Sequence, residues 1–209
     1  MKIGIVGAGM IGATLGRLWS LAGHTVMLSS RNPEDLRHVS DKVFPTATAG
    51  HAVDAVRFGD VVLLAVPFAA PLTFAADLKQ ALAGKVVLDA SNPMAHRDGD
   101  VVAQVMASGE GSGVWTAAQL PGARVVKAFN TVFFRTLTRE AHNKRQRLGI
   151  PLASDDTAAL ELASTLVRDA GFEPVVLLGL AAARRFDPGT VVWNSGFSVD
   201  VVRRELGLV

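Results

Sequence analysis

The chain has 209 residues, 49% of them hydrophobic: enough for one large α/β domain with a small appendage, or for two small domains, and too few for a two-domain dehydrogenase of ordinary size. Its 21 basic and 19 acidic residues leave a net charge of +2, which gives no broad footprint for nucleic acid. Cysteine and tyrosine are both absent, which excludes disulfides, a thiolate nucleophile, cysteine-bound metal and a Tyr-Lys proton relay. No run approaches the roughly 18 apolar residues of a membrane span. Met1-Lys2-Ile3 leads into the first strand without the apolar core of a signal peptide, so the expectation is a soluble, cytoplasmic protein.

In chain order, Lys2-Ile3-Gly4-Ile5-Val6 reads as a strand, Gly7-Ala8-Gly9-Met10-Ile11-Gly12 as a glycine turn opening a helix, and 24–28 as a second strand. In a dinucleotide-binding unit the glycines have separate duties. Gly7 permits the tight turn, Gly9 lets the backbone approach a pyrophosphate, and Gly12 lets the helix pack close to the strand. Free N–H groups at the start of that helix, around Met10 and Ile11, would hold the pyrophosphate. The second strand runs out in Ser29-Ser30-Arg31-Asn32. A reader of NAD places an acid here for the ribose 2′-hydroxyl, and this chain has none. The Ser30 hydroxyl and the Arg31 guanidinium fork suit a 2′-phosphate, which favours NADP(H) over NAD(H).

Beyond Asn32, 33–42 reads as a short helix and Val43-Phe44-Pro45-Thr46 as an edge strand, since Pro45 is poorly tolerated in a central one. A helix at 50–58 leads to 60–67, apolar without alternation and closed by Pro67, the pattern of a buried parallel strand. A helix at 71–82 and a strand at 85–89 follow, the strand ending in Ala90-Ser91-Asn92-Pro93. The stretch 101–120 is mostly helical, broken by a glycine-rich turn at 109–113, and 124–129 is a strand with Asn130-Thr131 at its carboxyl end. Next come a strand at 150–154 and an amphipathic helix at 155–170. Asp155 or Asp156 can cap that helix, Leu162 and Leu166 share one face, and Gly171 ends it. A last strand covers 173–178, and a terminal helix, 198–206, places Val199, Val202 and Leu206 on one stripe. The alternation implies an α/β fold with a doubly wound, mostly parallel sheet. Residues 1–178 would form the dinucleotide-binding domain and 179–209 a C-terminal extension.

In such a sheet, ligands lie outside the carboxyl ends of the strands. Those ends are Gly7-Ala8-Gly9, Ser30-Arg31, Ala65-Val66-Pro67, Ser91-Asn92-Pro93, Asn130-Thr131 and Ser154-Asp155, with no histidine and no dedicated general acid among them. That disfavours alcohol or 2-hydroxy acid chemistry, in which an alkoxide must gain or lose a proton. His24, His38, His51, His96 and His142 read as structural or solvated and lack metal-ligand spacing; His96, four residues past Asn92, is the one to watch. Lys127 is an acid/base group if buried with a lowered pKa, but reads first as the partner of a carboxylate. The basic run His142-Asn143-Lys144-Arg145-Gln146-Arg147 reads as a solvated loop, with a landing patch for an anionic substrate tail as the alternative. A nicotinamide site with no catalytic proton-transfer residue fits hydride transfer to an acceptor whose own ring takes the electrons, as flavins and deazaflavins do.

These motifs, with Val126-Lys127-Ala128-Phe129-Asn130-Thr131 and Ala182-Ala183-Arg184-Arg185, resemble the NADP oxidoreductases that depend on the deazaflavin coenzyme factor 420. They also resemble the cytosolic NADPH-flavin domain of six-transmembrane ferric reductases. The resemblance covers nearly the whole chain. It implies that Ser30, Arg31 and Asn32 take the 2′-phosphate, that Ala65-Val66-Pro67 and Ser91-Asn92 line the nicotinamide side, and that Asn130-Thr131 face the acceptor ring. It implies factor 420, FMN or FAD as second substrate, and a homodimer using the terminal segment. Asn130 stands where the archaeal deazaflavin enzymes carry histidine, which is closer to the flavin-using relatives. Two other readings stay open. One is an NADP-dependent imine or β-hydroxyacid reductase, which normally adds a helical domain of about 100 residues, against only about 55 after Ser154 here. The other is a noncatalytic NADPH-binding sensor.

Overall fold

In the computed structural model, which describes residues 1–36 and 47–209, the chain opens as its pattern predicts. Lys2–Val6 is strand β1, Met10–Leu21 helix α1 and Thr25–Ser29 strand β2, paired in parallel with β1 from Lys2↔Thr25 to Val6↔Ser29. Residues 33–36 are helical. The rest of the helix expected at 33–42, with His38 and the strand expected at Val43-Phe44-Pro45-Thr46, lies outside the described residues. Directly after them, Ala47–Gly50 forms β3 beside β2. Ala52–Phe58 (α2), Val61–Leu64 (β4), Ala76–Leu82 (α3) and Val86–Asp89 (β5) follow. Then come Ala95–Asp98 (α4), Asp100–Ser108 (α5), Ser112–Gln119 (α6) and Arg124–Lys127 (β6). Phe134–Glu140 (α7), Gly149–Ser154 (β7), Thr157–Asp169 (α8), Glu173–Leu178 (β8) and Val199–Glu205 (α9) complete the series, with short stretches of 3-10 helix at Ala70–Thr73 and Leu180–Arg185.

The strands make one sheet in the order β3-β2-β1-β4-β5-β6-β7-β8. Its centre is covered on both sides, which is why β4 carries no polar residue. Val61 and Leu63 join Leu15, Leu18 and Trp19 of α1 in one cluster, and Val62 and Leu64 join Val56, Leu78 and Leu82 of α2 and α3 in another. Trp19 ties α1 to the far part of the sheet: its indole Nε1 donates to the Leu166 carbonyl at 2.8 Å, and its ring meets Phe129 edge-on at 5.8 Å.

β1 to β6 are parallel, but β7 is not: Lys127 pairs with Ala153 in antiparallel register, and β8 runs parallel to β7. The helix between them, α7, has 7 residues and reaches about 10 Å. It does not return the chain to the amino edge of the sheet, so β7 enters from the carboxyl side. The Asp156 carboxylate then caps α8, accepting from Ala159 N at 2.9 Å, and lies 2.6 Å from Arg124 Nε at the start of β6. The Arg124 hydrogen bond, backed by that of Ala159, pulls the Asp156 carboxyl down to about 2. The 180–206 segment packs back on β7 and β8, burying Ala183, Phe186, Val192, Val202 and Leu206. No described helix is long and apolar enough to cross a membrane.

Candidate functional site

The glycine turn has the geometry that its spacing demands. Gly7 has φ +105°, and a Cβ there would lie 2.5 Å from the Ala65 carbonyl oxygen; one on Gly12 would lie 2.0 Å from that of Gly7. A Cβ on Gly9 would meet no protein atom within 4 Å, so the open approach at Gly9 is available to a ligand. α1 begins there with no side-chain cap and no acid in its first turn, which leaves its first N–H groups and its positive dipole end for an anion. Met10 is largely exposed at this helix start, while Ile11 is half-buried.

At the end of β2, Ser29 Oγ accepts from Gly7 N at 3.3 Å, Ser30 N donates to the Gly50 carbonyl at 3.2 Å, and Ser30 Oγ accepts from Asn32 N at 3.2 Å. Arg31 is exposed and makes no ion pair among the described residues. A cleft of about 820 Å³ brings Gly7, Gly9, Ser30, Arg31, Val66 and Pro67 together. His51, read from the sequence as structural or solvated, lines it too, with Thr73 and Phe74, which no motif marks.

The second half of the site rests on a buried ion pair. Lys127 and Asp89 are both wholly buried, with Nζ 2.9 Å from Asp89 Oδ2 and 2.6 Å from the Ser91 carbonyl oxygen. Asp89 also accepts from Thr116 Oγ1 and from the backbone and hydroxyl of Ser91, at 2.8, 2.9 and 2.6 Å. The lysine therefore has the expected carboxylate partner, buried rather than at the surface, and its charge fixes the turn that carries Asn92. Asn92 Nδ2 donates to the Asn130 carbonyl at 2.8 Å, and Asn130 Nδ2 lies 3.3 Å from both Asn92 Oδ1 and the Phe186 carbonyl oxygen. Phe129, just before Asn130, holds the left-handed value φ 60°, a conformation that costs a non-glycine residue about 1–3 kcal/mol and clusters at functional sites. Asn130 and Thr131 are buried, and their Oδ1 and Oγ1 have no hydrogen-bond partner among the described residues.

Asp98 joins the two halves. It accepts from Ala69 N, two residues past Pro67, at 3.2 Å and from Met94 N, one past Pro93, at 2.9 Å, while the neighbouring Arg97 reaches the Asn92 carbonyl at 2.7 Å. Burial works to raise the Asp98 carboxyl, but the hydrogen bonds from Arg97, Met94 and Ala69 hold it below its usual value. Beside this turn opens a second, mostly apolar cavity of about 780 Å³, lined by Pro93, Met94, Val105, Met106, Arg184 and Trp193 among others. The Trp193 indole N–H has no hydrogen-bond partner among the described residues. Asp187 holds the cavity's later wall to α6, accepting from Ser112 N at 2.8 Å and from Ser112 Oγ at 2.5 Å.

One expected member of the site is elsewhere. Ser154-Asp155 end a reversed strand: Ser154 Oγ donates to the Val125 carbonyl and Asp155 accepts from Leu180 N, beside Arg124 at the amino end of β6. His24 is buried between the amino terminus and Asp169, His51 precedes α2, and His96 is exposed on the rim of the second cavity. The basic run at 142–147 is an exposed loop, with Arg147 facing Glu173 at 3.6 Å. Among the described residues, no group of three or more His, Asp or Glu is placed to hold a metal.

Residues 2–93, from β1 through the Asn92 turn, match the family model of the coenzyme F420-dependent NADP oxidoreductases. The chain is 29% identical over 196 residues to the F420-dependent NADP reductase of Methanothermobacter thermautotrophicus, covering 88% of this chain and 84% of that protein. It is 27% identical over 192 residues to the metalloreductase STEAP3 of Rattus norvegicus; 89% of the chain is covered, but it spans only about a third of that protein, 36%. A hypothetical protein of known structure from Sinorhizobium meliloti, SMa0349, superposes with a TM-score of 0.80 at 28% identity, covering 95% of both chains. Over nearly its whole length, the chain is thus similar to an F420-dependent NADP reductase and to part of a metalloreductase, the two groups that its motifs resemble.

Proposed function

We propose that the chain is an NADP(H)-dependent oxidoreductase that moves hydride between nicotinamide and a deazaflavin or flavin ring. The observation that carries this reading is the joining of two clefts at the carboxyl edge, one built for a phosphorylated dinucleotide and one apolar. The titratable groups between them are consumed in internal hydrogen bonds: Asp89 with Lys127, Asp98 with Arg97, and Asp187 with Ser112. None of these three is left to deliver a proton in a transition state, which supports an acceptor that takes the electrons into its own ring system; the histidines of the clefts are His51 in the first and exposed His96 on the rim of the second.

The residues then have binding and positioning duties. Gly9 and the start of α1 take the pyrophosphate, and Ser30 with Arg31 the 2′-phosphate. Val66 and Pro67 form one side of the nicotinamide site, and the Asn92–Asn130 pair the other. The orphaned Asn130 Oδ1 and Thr131 Oγ1 accept ligand N–H groups, and Trp193 with Met94 and Met106 shields the acceptor from water. When bound, the nicotinamide supplies the hydride and the acceptor ring supplies the electron sink. Similarity to a reductase named for its dependence on factor 420 supports a ring acceptor at this edge.

Stopped-flow absorbance with NADPH and, separately, oxidised factor 420, FMN and FAD tests it. Rapid bleaching of one acceptor's band is expected. NADPH binding without bleaching of any of the three would overturn the ring-acceptor reading and favour a small-substrate reductase or a sensor.

A further inference from the structure

The dinucleotide cleft holds a further polar side chain beside Ser30 and Arg31, that of His51. Strand pairing fixes where it stands. β2 and β3 run parallel with Ser29 opposite Gly50, and Ser30 N donates to the Gly50 carbonyl at 3.2 Å, so Ser30 and His51 leave the sheet as neighbours. Arg31 and His51 are both exposed, and both line the cleft. Elsewhere the wall carries Leu36, Phe74 and Leu78, apolar surface that suits a base and not a phosphate.

Histidine is an unusual choice at this point of the backbone. His51 is the N-cap of α2, a position that favours Asp, Asn, Ser or Thr, whose short side chains take up free N–H groups of the first turn. Here His51 N donates to Asp54 Oδ2 at 3.1 Å, and the imidazole lies toward the Asp54 N–H in a capping-box arrangement. An imidazole with one nitrogen accepting from the backbone carries its proton on the other, which is then a donor for a ligand. Aspartate would cap this helix better, but would set a second carboxylate beside Ser30 and Arg31. A local preference is broken in this way where a ligand makes the competing demand.

We propose that His51 is a specificity residue for NADP(H): its ring N–H donates to the 2′-phosphate from the end of β3, while Ser30 and Arg31 hold the same phosphate from the end of β2. The proposal rests on the NADP(H) half of the proposed function and is separate from the choice of acceptor.

Calorimetric titration of the full chain with NADPH and with NADH tests it, in the wild type, His51→Asn and His51→Asp. Both replacements are favoured N-caps, so the thermal midpoint should hold or rise, which a purely structural histidine would not predict together with a loss of cofactor. His51→Asn should raise the NADPH dissociation constant about 10-fold, the loss of one hydrogen bond to a charged group. His51→Asp should raise it further, because its carboxylate repels the phosphate. NADH differs only in lacking that phosphate, and its dissociation constant should change less than about 2-fold in either variant. Unchanged NADPH affinity in both variants, a loss confined to His51→Asp, which repulsion alone explains, or equal losses for NADPH and NADH, which would place the ring on the shared adenosine, would each overturn the proposal. A wild type that binds the two cofactors alike would overturn the 2′-phosphate reading itself, and the proposal with it.

Discussion

Gly9 and Gly12 separate what the fold requires from what a ligand requires. A methyl group on Gly12 collides with backbone, whereas one on Gly9 meets nothing within the protein. Gly12→Ala should therefore lower the thermal midpoint by several degrees, as expected for a loss of more than about 1 kcal/mol. Gly9→Ala should leave the midpoint in place and weaken NADPH, read by calorimetric titration. If both behaved alike, the division would fail. Arg31→Ala should weaken NADPH by roughly 10- to 100-fold, the value of a charge-assisted phosphate contact, and leave NADH nearly unchanged. Equal loss for both cofactors would sink the 2′-phosphate assignment. These positions were legible because each acts next to its neighbours in sequence. Asp98, Asp187 and Trp193 were not: Asp98 joins Ala69 to Met94, Asp187 bonds Ser112, and Trp193 matters for a partner that it lacks.

The strand runs other than β3 were legible from their apolar stretches, and so were the cap and stop of α8; β3, Ala47–Gly50, is a short Ala-Thr-Ala-Gly strand where none was expected. Direction was not. The β7 stretch, Gly149–Ser154, is buried throughout and looks the same from either end. Only the shortness of α7 decides which way the strand enters, and no helix was expected at 134–140. Ser154-Asp155 were misassigned for that reason alone. The pair joining β5 to β6 was partly legible, since a lysine inside a strand demands a carboxylate, but its partner Asp89 lies 38 residues away. Lys127→Met should cost roughly 3–5 kcal/mol in urea unfolding, because it strands a buried carboxylate. A loss below about 1 kcal/mol would show that the pair does not anchor β5 to β6.

For the whole molecule, acid should act through Asp98 and Asp156. Both carboxyls are held below their usual value in the folded chain, so the unfolded chain binds protons first as pH falls. Their contribution is complete above the unfolded pKa, about 4, and is lost below it, for Asp156 across the interval from 3.8 to about 2. Urea midpoints taken from about pH 6 down to pH 2.5 should fall in that window, and less steeply in the Asp98→Asn, Asp156→Asn double variant. Parallel slopes would show that other carboxylates govern the transition.

The anchoring of the Asn92 turn to a fully buried ion pair also bears on motion. Lifting that turn would strip the Ser91 carbonyl from Lys127 and the Ser91 N–H and hydroxyl from Asp89 and uncover the buried pair, so this floor resists local opening. The opposite wall, the 186–197 stretch, is tied to α6 by the part-buried hydrogen bonds of Asp187 with Ser112, which can break without uncovering a buried charge pair. The cleft thus has a charge-locked floor, and the more yielding of its walls is supplied by the last quarter of the chain.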